Sequence, residues 1–378
     1  SNSSISNLVS RYVNITNTEV RPSIVTTMQI AYEAIKHNPA IGTGPNTFAM
    51  DWALWQPKGI VQTMYWNVDF SSGFSLLTTY LVTTGILGFL SFLIFIIILF
   101  IRGIQSLKIA LRDTLSNYFI FATLIITTYS WVTFIIYSPN VIMLSLAFLS
   151  SGMLIGILVY KKVIPVHNFS FLNDPRNSFF VILGLMILIV GTLSVTYIYV
   201  EKFTSIIYFS RSLDNNISTI ESLSKSDRIL RNAIALDKND IYYRTLSQVY
   251  ISQMSLLLNE KTTSTDLLKS NLQALVSSAE GSALLAVNQN TKQYLNYLNL
   301  GNVYASFVPM SVEGSYEKAI DAYNKASTLA PNNPSIFLLK ASLELANKNN
   351  TEAKNFIKQA LSLKNNYRSE ERRVGKEC

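Results

Sequence analysis

The chain has 378 residues, 49% of them hydrophobic and only 14% charged, with a formal net charge of +8 and a mean hydropathy of +0.26. Such a composition excludes an ordinary soluble globular protein. One cysteine, Cys378, and two histidines, His37 and His167, exclude a disulfide framework and a histidine-cluster metal site, so neither metal nor cofactor is expected. The lysines and arginines are scattered or sit beside apolar runs, which marks them as topology signals and argues against a nucleic-acid partner.

Residues 1–73 read as one segment outside the membrane. The chain opens at Ser1 without a methionine or a signal-peptide pattern, so an upstream part is expected. Residues 1–20 are rich in Ser, Asn and Thr and read as loop. From Arg21 the pattern changes: Ile24, Met28, Ala31 and Ile35 recur at helical spacing, predicting an amphipathic helix that stops before Asn38-Pro39. The stretch Asn38-Pro39-Ala40-Ile41-Gly42-Thr43-Gly44-Pro45 then demands a tight backbone course. Gly42-Thr43-Gly44 has no strand before it, so it is no dinucleotide fingerprint. The aromatic residues that follow divide by position. Tyr65, Trp66 and Phe70, just before the first span, are expected in an interfacial belt, whereas Trp52 and Trp55 are open to either an interfacial or a sugar-binding reading.

Four apolar runs are each long enough to cross a hydrocarbon core, at about 74–101, 118–137, 141–160 and 179–200. The first is the longest, with no polar residue from Ile94 to Ile101. Arg102, Lys108 and Arg112 lie between spans one and two, and Lys161, Lys162 and Arg176 between spans three and four. The connection Ser138-Pro139-Asn140 carries no charge. Positive loops stay on the cytoplasmic side, so both flanks are expected outside the cell membrane of a bacterial-type multi-pass protein.

Residues 201–367 turn polar and helical. Tyr297-x-x-Leu300-Gly301-x-x-Tyr304, followed by Ala319, Tyr323, Ala326 and Pro331, resembles the tetratricopeptide repeat, with small residues letting paired helices approach and aromatic ones filling the gaps. Phe337, Ala341, Ala353, Ile357 and Ala360 take the equivalent places downstream, with Glu344 where an aromatic is usual. Upstream, Tyr243, Leu246, Ser247 and Tyr250 read as a first helix, Ala279 and Ala286 fall in a second, and Ala233 ends a partial unit. The expected fold is therefore all-α: polytopic transmembrane helices followed by an extracytoplasmic tetratricopeptide-like α-solenoid. Such arrays serve as binding scaffolds for a protein partner or as structural caps. Arg368–Cys378 departs from this pattern and resembles a translated sequencing adapter, to be set aside as a tail of no biological origin.

Taken together, Arg21 opening a helix, the loop Asn38-Pro39-x-x-Gly42-x-Gly44-Pro45-x-x-Phe48 and the span with Leu81, Gly85 and Gly88 resemble the O-antigen ligase and O-antigen polymerase-like family of membrane glycosyltransferases. The resemblance implies transfer of a glycan from a polyprenyl-diphosphate donor to a glycan or lipid acceptor at the outer leaflet. It implies a diphosphate-holding arginine, matched here by Arg21, whose planar fork suits phosphate oxygens. A solvated charge ahead of Pro22 is the equally weighted alternative. The histidine that such ligases keep before the span falls on Phe74, which cannot take a proton. Asp69 is the substitute base under consideration and His37 a loop contributor to substrate binding. A capping carboxylate and a solvated histidine at a helix C-terminus are the simpler readings. A non-catalytic scaffold assembled through the repeats is the competing function.

Overall fold

A computed structural model describes residues 21–63, 65–110, 116–161, 164, 175–213, 219–259 and 265–365. The expectations for residues 1–20, for Arg112, Lys162, His167 and for the tail 368–378 lie outside these residues, as does the side chain of Lys108. Among the described residues the chain is helical, with no strand. It divides into two compact units, one of residues 1–57 with 68–166, the other of residues 58–67 with 167–378.

In the first unit, helix α1 (Ile24–His37) and helix α2 (Phe48–Trp55) precede three long apolar helices. Ser23 caps α1, its hydroxyl accepting from the Thr26 amide at 3.1 Å. The buried face of α1 is Thr26, Thr27, Ile30, Ala31 and Ala34, which packs against the start of the first span. A single helical turn, α3 (Lys58–Val61), belongs to the other unit.

The first span, α4 (Leu76–Ala110), falls where the apolar run is longest, and it is broken at Gly85, which stands at φ 64°, ψ −165°. The two halves bend toward each other, with the rings of Tyr80 and Phe92 only 5.0 Å apart. On a straight helix twelve residues would separate them by about 18 Å. The half after Gly85 suffices to cross a bilayer, since 25 residues rise about 38 Å.

Helices α5 (Ser116–Ile136) and α6 (Val141–Tyr160) complete the bundle. Asn140 caps α6 by accepting from the Met143 amide at 2.9 Å, which turns the chain sharply at Ser138-Pro139-Asn140. Trp131 is the hub of the packing, 1% exposed, with Phe92, Phe95, Phe134 and Phe148 around it at centroid distances of 5.2 to 5.7 Å. Its Nε1 donates to Ser151 Oγ at 2.9 Å. Lipid tails are as apolar as these rings, so van der Waals fit and the indole hydrogen bond, rather than water exclusion, hold the helices together here.

The second unit begins with α7 (Pro175–Leu213), 39 residues in one helix. Its apolar stretch has no side chain buried against the rest of the chain, as suits a span facing lipid. The helix continues past Val200 without a break and enters the polar part directly. There it pairs with α8 (Ile220–Leu236): Ser205 donates to Ala233 O at 2.9 Å and Ser226 to Ser212 O at 3.2 Å. Three further antiparallel pairs follow: α9 (Asp240–Asn259) with α10 (Thr265–Gln289), α11 (Tyr294–Phe307) with α12 (Ser315–Leu329), and α13 (Pro334–Ala346) with α14 (Asn350–Leu363).

Close approach within a pair depends on small residues. A Cβ on Gly301 would run into the Tyr323 ring, and Ala319 and Ala326 are wholly buried beside it. Tyr323 is 1% exposed, and Leu300 and Tyr304 are buried with it, while Tyr297 is half-buried and Pro331 lies exposed in the turn before α13. Glu344 is buried too, and accepts from the Tyr316 hydroxyl at 2.8 Å in the place where an aromatic would fill the gap.

Residues 58–67 form a clasp on the last pair. Lys364 is 6% exposed, and its Nζ donates to Val61 O and Thr63 O, both at 3.1 Å, while lying 5.7 Å from the Trp66 ring. Gln62 donates to Leu363 O at 2.6 Å. Trp66 packs, with Phe337, Ile357 and Leu361, on Leu338 and Ala360, which corrects its assignment to an interfacial belt: an apolar slot between two helices took the ring instead. Phe70 likewise stacks edge-on against Trp52 at 4.7 Å. The clasp precedes span one and its partner helix follows span four.

Candidate functional site

The loop after α1 and the break in α4 are one construction. At Gly85 the helix ladder is interrupted, leaving carbonyls of the turn before it and amides of the turn after it without intrahelical partners. The loop supplies them. Thr43 N donates to Val82 O at 3.2 Å and Gly44 N to Thr83 O at 2.9 Å, while Ile86 N donates to Pro39 O at 3.0 Å and Leu87 N to Ala40 O at 3.1 Å. Gly42 and Gly85 face each other at the crossing, both at positive φ. A Cβ on Gly42 would lie 2.5 Å from Gly85 N and Val82 O, and one on Gly85 would meet the backbone at Gly42 and Ala40. Two backbones this close leave room for glycine alone.

A buried carboxylate fixes the loop from the other side. Asp51 on α2 is 5% exposed and accepts from Thr43 Oγ1 at 2.6 Å and Thr47 Oγ1 at 3.2 Å. Sequence reasoning missed Asp51, although Thr43, Thr47 and Asp51 recur every four residues and could have been read as one face.

Arg21 and Phe74 meet at the C-terminal end of α5. The guanidinium lies 4.5 Å over the Phe74 ring and 5.2 Å from the Tyr137 ring, and donates to Ile136 O at 2.8 Å and Phe74 O at 3.5 Å. Ile136 ends its helix, so the cation sits where the helix dipole is negative and free carbonyls gather. Thr27 Oγ1 accepts from Phe74 N at 3.0 Å, tying the same point to α1. Thus Arg21 and Phe74 are neighbours in space, and the cation lies against a phenyl face as well as against two backbone carbonyls.

The remaining candidates are spread out. His37 stacks on Trp55 with centroids 5.8 Å apart and planes 11° apart, and both rings keep contact with solvent. Trp55 also lines an open groove of about 670 Å³ with Ile24, Met28 and Tyr32. Trp52 is 1% exposed and has no face left for a sugar, so its substrate-binding assignment is withdrawn in favour of a core role beside Phe70. Asp69 is exposed on the connector, five residues before Phe74. No group of three or more His, Cys, Asp or Glu able to hold a metal occurs among the described residues.

The helical array has its own polar system, which the repeat pattern did not announce. Asn296, wholly buried, donates to Asp240 Oδ2, Ala286 O and Asn290 O at 2.9 to 3.0 Å and accepts from Arg244 at 2.8 Å. Asn299 donates to Ser247 at 2.7 Å, linking α11 to α9. Tyr250 donates to Asp227 and Tyr304 to Glu280, and burial together with these carboxylates pushes both phenols above their ordinary range. Burial pulls the Lys340 and Lys364 ammonium groups down.

No protein-family model matches the chain, and no curated protein matches it either.

Proposed function

We propose that the chain is part of a membrane glycosyltransferase of the O-antigen ligase or polymerase type, working on a polyprenyl-diphosphate-linked glycan at the outer face of a bacterial cytoplasmic membrane. The observation that carries this reading is the convergence of separated motif residues. Asn38 to Pro45 and Gly85 form one hydrogen-bonded assembly, and Arg21 lies against the residue at the histidine position. The basic loops marked by Arg102, Lys161 and Arg176 support placing both flanks outside. The paired helices after span four are read as tetratricopeptide repeats that bind a protein of the same envelope system.

In the proposed reaction the acceptor hydroxyl oxygen bonds to the anomeric carbon of the donor sugar as the bond from that carbon to the diphosphate oxygen breaks. The diphosphate leaves with its electron pair, held by Arg21, and the hydroxyl proton passes to the Asp69 carboxylate. Arg21 would exchange the Ile136 carbonyl for phosphate oxygens, a stronger charged partner.

A second reading, a non-catalytic scaffold, draws on Phe74: the group facing Arg21 is a ring that cannot accept a proton. Transfer from a lipid-linked glycan by the full protein, beside Arg21→Ala and Asp69→Asn, separates the two. Each substitution is expected to slow transfer on the order of 10²-fold. Unchanged transfer in both variants removes these residues from the mechanism, and no transfer by the unsubstituted protein favours the scaffold.

A further inference from the structure

The Asn38–Pro45 loop has a surface that the reaction above does not use. Ile41 at its tip is 71% exposed. Its neighbours Pro39 and Ala40 accept from the amides of Ile86 and Leu87, so Ile41 is fixed beside the first turn after the helix break. From that turn an exposed apolar stripe runs down α4 through Leu87 (62%), Leu90 (45%), Ile94 (55%), Ile97 (48%) and Ile101 (49%). At 100° per residue these five positions fall within an arc of about 80°, a single face. That face belongs to a candidate membrane span, and Ile41 follows Ala40, whose carbonyl accepts from the Leu87 amide at the head of the stripe.

Two further observations fit the same surroundings. No charged residue occurs from Asn38 through Met50, and the carboxylate that follows, Asp51, is buried under Thr43 and Thr47. Irregular backbone survives at membrane depth only where its polar groups are paired inside the protein. Here Gly42 N, Thr43 N, Gly44 N, Pro39 O and Ala40 O all have backbone partners.

We propose that the tip of this loop is a lipid-inserted element, in which Ile41 contacts acyl chains of the bilayer as a continuation of the lipid face of span one. The loop and the Gly85 break are thereby held at the boundary of the hydrocarbon layer and not in the aqueous space above it.

Spin-labelled single-cysteine variants of the full chain test this in phosphatidylcholine and phosphatidylglycerol vesicles, with Cys378→Ser as background. Ile97→Cys serves as the lipid reference and Val312→Cys, in the helical array, as the water reference. At Ile41→Cys the ratio of oxygen to nickel-chelate collisions should approach that of Ile97→Cys, about tenfold above Val312→Cys. Membrane-impermeant maleimide gives an independent readout. It should leave Ile41→Cys unmodified in vesicles open to reagent on both faces, and modify it once detergent is added. Nickel accessibility or maleimide reactivity at Ile41→Cys equal to that at Val312→Cys would overturn the proposal.

Discussion

The membrane bundle and the helical array solve the same problem, bringing two helical segments close together, by different means. In the array the contact is side chain against small residue, Tyr323 over Gly301 with alanines on either hand. In the bundle it is backbone against backbone, Gly42 across Gly85, with four hydrogen bonds exchanged between a loop and a broken helix. Where water is present, burying a ring supplies the stabilisation. In lipid it does not, and an unpaired amide is costly, so the peptide groups themselves must be matched.

The comparison is sharpest at the glycines. Gly85→Ala places a Cβ against backbone at a positive φ and is expected to destabilise the first unit by about 3 kcal/mol or more, read as lost thermal stability in detergent. Gly301→Ala meets a side chain that can shift, so a loss of about 1 to 3 kcal/mol is expected. Equal losses at the two sites would break the distinction. Trp66→Ala empties the slot between α13 and α14 and should cost about 2 kcal/mol, together with faster proteolytic cutting near Lys58.

The smallest effect is one of pH. Lys340 is 5% exposed, near the rings of Phe337 and Phe356, and its folded-state pKa is lowered by burial. The unfolded chain therefore holds that proton more tightly, and stability rises with pH between the lowered value and the unfolded value of 10.5. Lys340→Met should raise the melting temperature below that window and flatten the alkaline rise, measured by thermal scans from neutral pH upward.

Legibility in the sequence followed the same division. Apolar length gave the four spans, and the spacing of Tyr297, Gly301, Ala319 and Tyr323 pointed to closely paired helices, because in both cases side chains carry the information. The interruption at Gly85 was not visible, since helix-compatible residues stand on either side of it and a backbone crossing leaves no periodicity. Trp66 and Lys364 stand almost three hundred residues apart, and nothing local in either signals the other. Arg21 was singled out for phosphate chemistry, yet its immediate partner, the carbonyl end of α5, belongs to a helix more than a hundred residues away.

Helix α7 gives the array a mechanical property. With 39 residues in one rod it is about 58 Å long, and a tilt of 10° at its lipid-embedded end swings the other end through about 10 Å. A hydrophobic stretch that exceeds the local bilayer thickness relieves the mismatch by tilting. Such a tilt of α7 would carry the helix pairs anchored on it, so their attitude would follow the thickness of the surrounding bilayer as a needle follows its dial.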